Sequence, residues 1–382
     1  MNKRPLLSIV VPTKDRYFYL KKLIKLIDSY HFGDEVEMVI QDNTEDNSEI
    51  VSFLKEGTYN FIVYDHHSEQ LPISLNSDKA VLNSSGEYVC FIGDDDGVTK
   101  YIVEGVKWMK ENQIDAVKSA EVYYIWPDAI NATNVSRAAV VDYREFTGSV
   151  RYVSAYKELL KVLTDGIPDR GNMPLVYHGV VSRRVLDEIY KKCGTYFPGN
   201  SPDIANAVAV SLTAKKFAIV NLPWAIYGSC VSKGGGERLP GRRFPPQIKD
   251  IKHWPVDAEE KWYEKIPKVA IWVTIWPESA ISALRAYNRT DLIDKFNVYR
   301  HYARFIIAYP SLKNYVFEVC DKRTKIYLNL VGMHISRIHK AFWRRIGWSL
   351  GYNRPLHVDS VNTIIEAAAV LEKLSNGEIK NK

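Results

Sequence analysis

Apolar runs that stop at turn-forming residues, each followed by a helix-spaced segment, recur through the first hundred or so residues and constrain the fold more than any other feature. Leu6–Val11 is a β-rich run ended by Pro12, with Pro12–Arg16 as the loop beyond it. Leu20, Leu23, Ile24 and Ile27 then repeat at helical spacing, while Lys21, Lys22 and Lys25 fall largely on the other face. Glu37–Gln41 is a second run, ended by Asp42-Asn43-Thr44, with a polar helix expected over 46–55. Phe61–Tyr64 is a third, followed by a loop over 65–75 and a short helix over 76–83. Tyr88–Ile92 is a fourth, ended by Gly93-Asp94-Asp95-Asp96-Gly97. This alternation predicts an α/β fold with a mostly parallel central sheet flanked by helices. Ligands of such sheets bind beyond the carboxyl ends of the strands. Pro12–Arg16, Asp42–Thr44 and Asp94–Gly97 are therefore expected to converge.

Three consecutive carboxylates at a strand's exit repel one another unless something positive sits among them. A hard divalent cation, its shell completed by phosphate oxygens, is one solution. An acidic solvated turn that caps the next helix is the other.

Farther along, the spacing predicts a helix over 100–112, a strand over 116–118, strands around Tyr123–Trp126 and 140–143, and a helix over 152–163. A loop over 165–173 leads to a strand over 175–181 that carries His178 and Gly179, then a helix over 183–192. Ser201 reads as an N-cap, Pro202 as the first helical residue and Asp203 as a first-turn acid, which is a complete structural account of Asp203. Two short strands follow, over 217–221 and 225–229, and Lys233-Gly234-Gly235-Gly236 reads as a linker or a lid. The expected division is an α/β domain over 1–232 and a mainly helical region over 233–382. Within the latter, Met333–Ile346 is a basic amphipathic helix: a packing helix with a solvated basic face, or a peripheral membrane contact with Trp343 and Trp348 at the interface.

A net charge of +6 over 382 residues, with no basic motif, gives no ground for nucleic-acid binding. Cys90, Cys193, Cys230 and Cys320 have no CxxC spacing, so neither a zinc site nor a disulfide framework is expected. A reducing cytoplasm fits, with the N-terminus unlike a signal peptide and no apolar stretch long enough to span a bilayer. The sequons at Asn83, Asn131, Asn134 and Asn288 are then chance occurrences.

Ser8-Ile9-Val10-Val11-Pro12-Thr13-Lys14-Asp15-Arg16, then Gln41-Asp42-Asn43, then Asp94-Asp95-Asp96-Gly97, each at the end of an expected strand, resembles family 2 glycosyltransferases with the GT-A fold. The resemblance is to the type that builds bacterial surface polysaccharides such as capsule and O-antigen. It is close over the first hundred or so residues and looser to about residue 230. It implies that Pro12, Thr13 and Arg16 hold the nucleobase and ribose side of a nucleotide-sugar, that Asp42 contacts the base, that Asn43, Asp94 and Asp95 also bind the donor, and that Asp78 and Lys79 lie on a helix contacting it. It implies a DXD pair of Asp94 and Asp96 flanking Asp95, with Asp96 as the direct ligand of Mg²⁺ or Mn²⁺ and the donor diphosphate bridging. The catalytic base maps to Asp203, where one acid stands in place of the family's usual pair. His178 is a candidate acceptor or metal contact, or a core histidine. The implied reaction is inverting transfer from a nucleotide-diphosphate sugar, UDP favoured, to a glycan or lipid-linked acceptor. From the cysteines and the basic amphipathic helix, the expected location is the cytoplasm, with a peripheral contact through the C-terminal helices at the inner face of the membrane or with an assembly complex.

Two other readings compete. A sugar nucleotidyltransferase would carry a glycine-rich loop after the first strand, and Pro12–Arg16 has no glycine; GxxxxGK[ST] and a first-strand GxGxxG are also missing. A non-catalytic scaffold subunit would have lost the acids, and all of them are present.

Overall fold

The computed structural model describes residues 4–131, 136–231, 247–251, 254–349 and 354–377. The strands in chain order are β1 (Leu7–Thr13), β2 (Val36–Asp42), β3 (Ile62–His66), β4 (Tyr88–Phe91), β5 (Gly97–Val98), β6 (Ala116–Lys118), β7 (Tyr123–Ile125), β8 (Val140–Tyr143), β9 (Val150–Val153), β10 (Gly179–Ser182), β11 (Phe217–Val220), β12 (Ala225–Ser229) and β13 (Leu356–Asp359). Eight of them form one sheet in the order β3-β2-β1-β4-β10-β6-β11-β9. The first four are mutually parallel, β10 runs against both its neighbours, and β9 is an antiparallel edge. β1 and β2 lie inside the parallel half and are almost wholly buried, as their largely apolar runs require.

Five strands form a second sheet, β13-β8-β7-β12-β5, which the sequence pattern did not separate from the first. Its strands are two to five residues long, too short for period to tell sheet from sheet.

The structure shifts several expected boundaries. β1 runs through Pro12 to Thr13, leaving Lys14–Arg16 as the loop. The strand continues because Pro12 and Thr13 pair with Gln41 and Asp42 on one side, whereas pairing to β4 stops at Val10. The N–H that proline lacks thus falls where no ladder partner is needed. Tyr152 belongs to β9, not to a helix; the helix is Ala155–Thr164, with the Ser154 side chain accepting from the Lys157 N–H. The strand expected over 175–181 shrinks to β10, because His178 turns the chain at φ +59° immediately before it. The helix expected over 76–83 begins three residues earlier, at Ile73 behind Pro72.

The expected boundary at 232/233 and the Lys233–Gly236 stretch lie outside the described residues, as does Asn134. Contacts nevertheless run from the later segment into the first sheet's core. β13 pairs with β8, and helix Ile364–Ser375 packs on helix Tyr17–Ser29, joining one apolar core with β1 and β2. Among the described residues, no helix is long and apolar enough to cross a membrane.

A second core joins helix Pro202–Thr213 to helix Trp272–Ala286, around Ile204, Val208, Ile281 and Leu284. Inside it Glu278 is 1% exposed, accepting from Ser282 Oγ (2.8 Å) and Asn200 Nδ2 (3.2 Å). Burial pushes its carboxyl up from 4.5 to about 7, against those hydrogen bonds and Arg285. A raised acid destabilises the fold wherever the unfolded chain alone is ionised. The cost is therefore absent below about pH 4.5, grows with pH, and is complete above about pH 7. Glu278→Gln is expected to be more stable than the wild type at about pH 8, by on the order of 2–3 kcal/mol, with the gap closing near pH 4.5. Urea melts at the two pH values read this directly; equal stabilities at about pH 8 would contradict a buried, neutralised Glu278.

Candidate active site

The carboxyl ends of β1, β2 and β4 meet, and hydrogen bonds knit their loops together. Asp42, fully buried, accepts from Tyr17 Oη (2.7 Å), Tyr64 Oη (2.8 Å) and the Thr44 N–H (2.9 Å). Thr44 Oγ1 in turn accepts from the N–H of Asp15 (2.8 Å), whose φ of +56° turns the chain out of β1. Asn43 donates to the carbonyls of His67 and Glu69 and accepts from the Leu71 N–H. Both side chains are thus committed to shaping neighbouring loops. Asp78 is similarly engaged, accepting from Thr195 Oγ1 (2.6 Å) and the Tyr196 N–H (2.8 Å), which anchors the segment leading to Asp203. Burial raises its pKa, opposed by those two bonds. Lys79, on the same helix, is partly exposed.

The acidic turn after β4 is organised around a guanidinium. Arg16 Nη1 lies 3.2 Å from Asp94 Oδ1, and its Nη2 lies 2.7 Å from Asp95 Oδ1 and donates to Cys230 Sγ (3.1 Å). Thr13 Oγ1 donates to Asp94 Oδ2 (2.6 Å). Asp96 turns the other way. Its Oδ2 meets His178 Nε2 (2.6 Å) and accepts the Gly93 N–H (2.6 Å), while Oδ1 accepts the Gly228 N–H (2.7 Å). Position 228 must be glycine, because a Cβ there would sit 1.8 Å from the Asp95 carbonyl oxygen. Trp126 Nε1 donates to that same oxygen (2.8 Å).

The three carboxylates consequently differ. Burial raises the Asp94 and Asp95 pKa values, and Arg16 pulls both back. Burial also acts against Asp96, but the His178 charge and hydrogen bond, with the Gly228 and Gly93 N–H groups, outweigh it and hold Asp96 below the usual carboxylate range. Asp96 is the fixed anion of the turn, and Asp94 and Asp95 are anions that depend on a neighbouring cation.

His178 is 5% exposed, its ring between Tyr177 (4.0 Å between centroids) and Tyr227 (3.7 Å). Asp203 is half-buried in the first turn of helix Pro202–Thr213, near enough to feel the charges of Arg170, His178 and Asp96. Ser201 occupies the N-cap position as expected, but its side chain makes no capping bond; its N–H donates to Ser279 Oγ (2.8 Å). Burial raises the Asp203 pKa, Arg170 and His178 oppose it, and Asp96 adds to it. Arg170 stacks over the Tyr227 ring (5.2 Å). The structure therefore gathers Thr13, Arg16, Asp94, Asp95, Asp96, His178 and Asp203 on one side of the sheet, with Asp42, Asn43 and Asp78 supporting them.

Arg170, Trp126, Tyr227, Gly228 and Cys230 also belong to this surface and were not singled out by the sequence pattern. Arg170 sits in a Gly/Pro/Asp loop with no periodicity to aim it. Gly228 lies within a short strand and looks like an ordinary weak strand residue. Only an isolated glycine in a strand hints at close backbone approach.

Residues 8–159 match the family model described as "Glycosyl transferase family 2". A curated relative, the GalNAc(5)-diNAcBac-PP-undecaprenol beta-1,3-glucosyltransferase of Campylobacter jejuni, is 31% identical over 93 residues, which is 24% of this chain and 30% of the relative. The chain thus aligns with less than a third of that relative's length. Among solved structures, S. aureus TarS 1-349 in complex with UDP-GlcNAc is similar with a TM-score of 0.48 and 14% identity, covering 85% of this chain and 88% of that one. The same TarS portion in complex with UDP gives 0.43 and 15%, covering 58% and 60%. The family match spans β1 to β4 and the acidic turn, so that over residues 8–159 this α/β chain is similar to glycosyltransferase family 2.

Proposed function

We propose that the chain is an inverting glycosyltransferase that moves a sugar from a nucleotide-diphosphate donor, UDP-linked by preference, to a hydroxyl of a glycan or lipid-linked acceptor. The observation that carries this reading is the pairing of a deeply buried acidic turn at the strands' carboxyl ends with a separate, raised-pKa carboxylate, Asp203, that feels the charges of both Asp96 and His178. The first suits a donor diphosphate and the second suits proton removal. The relative's printed name, a β-linking transferase for a PP-undecaprenol-linked glycan, agrees with that acceptor class and with inversion.

A divalent cation fits the turn chemically. The donors are hard carboxylate oxygens; Asp94 Oδ1 is buried with the Arg16 ion pair but no hydrogen bond, and His178 Nδ1 is buried without a hydrogen-bond partner. Among the described residues no three His, Cys, Asp or Glu side chains already form a ready metal cluster. Asp94 and Asp96 would hold Mg²⁺ or Mn²⁺, which when bound supplies positive charge against the departing diphosphate. Arg16 already supplies one cation there. Thr13 and Arg16 keep the turn closed on β1 and orient it. Asp203 takes the proton of the attacking acceptor hydroxyl, and Tyr177 and Tyr227 hold His178 against Asp96 so that the turn stays fixed during the attack.

A thermal-shift panel of UDP, GDP and dTDP, with and without Mn²⁺ or Mg²⁺, tests the donor site. Binding to the native state is worth about 2.7 kcal/mol at about 100-fold excess over Kd, or roughly 3 °C for a chain of this size. UDP with metal is expected to give that shift. No shift with any nucleotide would favour the scaffold reading.

A further inference from the structure

Helix Arg323–Ser349 has two apolar sides, and the protein covers only one. Ile326 and Met333 are buried, with Leu330 beside them, against helix Val298–Ala308 around Tyr302 and Phe305. On another side, Tyr327, Val331, Ile335, Ile338 and Phe342 recur at three- and four-residue spacing and stand in solvent, with Leu328 and Trp343 flanking them. Ile338 and Leu328 are each 73% exposed. Beyond Met333 no residue of this helix is buried, although it continues for sixteen residues, on the order of 24 Å at helical rise.

Its charge is one-sided. Between Arg323 and Ser349 there are six Lys or Arg residues, Arg323, Lys325, Arg337, Lys340, Arg344 and Arg345, and no Asp or Glu. None of the six pairs with a carboxylate among the described residues. Helical spacing sets Arg337, Lys340 and Arg344 on the face away from the Val331–Phe342 stripe. A protein partner would have to match both a bare apolar stripe and six uncompensated cations. An anionic bilayer surface meets both at once, taking the stripe among its acyl chains and the cations among its phosphates. The helix is too polar to span a bilayer, which leaves lying along its surface.

We infer that helix Arg323–Ser349 docks the protein on an anionic lipid surface through Val331, Ile335, Ile338 and Phe342, with its lysines and arginines at the headgroups. The inference is independent of the transferase reading. It is tested by flotation of the full chain with vesicles of phosphatidylcholine alone and of phosphatidylcholine mixed with phosphatidylglycerol, over a range of salt. The wild type is expected to float with the anionic vesicles and to be released as salt rises. Ile338→Glu with Phe342→Glu changes only exposed residues far in sequence from the acidic turn, and is expected to bind at least about tenfold more weakly with an unchanged melting temperature. Arg337→Gln, Lys340→Gln and Arg344→Gln together should bind anionic vesicles about 100-fold more weakly. Failure of the wild type to float with either vesicle at low salt overturns the inference. So does flotation of the double glutamate variant at wild-type level, or light scattering that shows the stripe buried in a dimer that this variant splits. The UDP shift on the same preparation reads the donor site separately, so either result can fail alone.

Discussion

Asp203→Asn is expected to lower kcat by about 10³-fold while leaving the donor-induced thermal shift intact. The substitution keeps size and shape at the start of helix Pro202–Thr213 but removes the proton acceptor. The pH profile carries a second signature. Asp203 works ionised, and burial lifts its pKa above the ordinary 3.8, with Asp96 adding to the rise and Arg170 and His178 opposing it. The acid limb of the wild-type rate should therefore lie above the normal carboxylate range, falling about tenfold per pH unit below that pKa. Arg170→Ala should push the limb to higher pH still. Stopped assays with a nucleotide-sugar donor across pH would read both effects. An Asp203→Asn enzyme that keeps more than about a tenth of wild-type kcat would remove Asp203 from the role of base.

Arg16→Ala is expected to be the costliest single change to stability, at about 3–5 kcal/mol near pH 8. Its guanidinium lies between Asp94 and Asp95, which are 2% and 8% exposed, and removing it leaves buried carboxylates facing one another. The sign of the pH dependence follows. Without Arg16 the folded pKa values of Asp94 and Asp95 rise further, so the deficit is largest where the unfolded chain is ionised. It shrinks as pH falls and those carboxyls take up protons. Mn²⁺ should restore part of the loss, and should raise the melting temperature more in this variant than in the wild type. Urea melts at two pH values, with and without metal, test this. A loss below about 1 kcal/mol would mean the acidic turn does not depend on Arg16.

The parallel half of the fold was legible because its strands are largely apolar and stop at or near turn-forming or polar residues such as Pro12, Asp42 and Gly93. Convergence of the loops followed from topology alone, and Thr13, Arg16 and the aspartates do meet. What each polar side chain does there was less legible. Asp42 and Asn43 look from the sequence like ligand-facing groups, yet Tyr17, Tyr64 and the Leu71 N–H occupy them, and only tertiary packing brings those donors in. Tyr152 carried helical spacing with Tyr156 and Leu159, but antiparallel pairing to β11 overrode it. Arg170 and Glu278 gave no signal, since neither sits in a pattern that fixes where its side chain goes.

Gly97, the last residue of the acidic turn, lies beneath Ile364: a Cβ there would come within 2.7 Å of Ile364 Cγ1. β13 closes one edge of the second sheet and the helix bearing Ile364 joins the core beside β1 and β2, although more than a hundred residues separate them from β12. The intervening helices are therefore an insertion, tethered at both ends, rather than an appendage on a single hinge. On the ribosome, the early strands and the acidic turn emerge long before the piece that packs beside them. The nascent chain must leave helix Tyr17–Ser29 and Gly97 uncovered on that side until residue 375 is out.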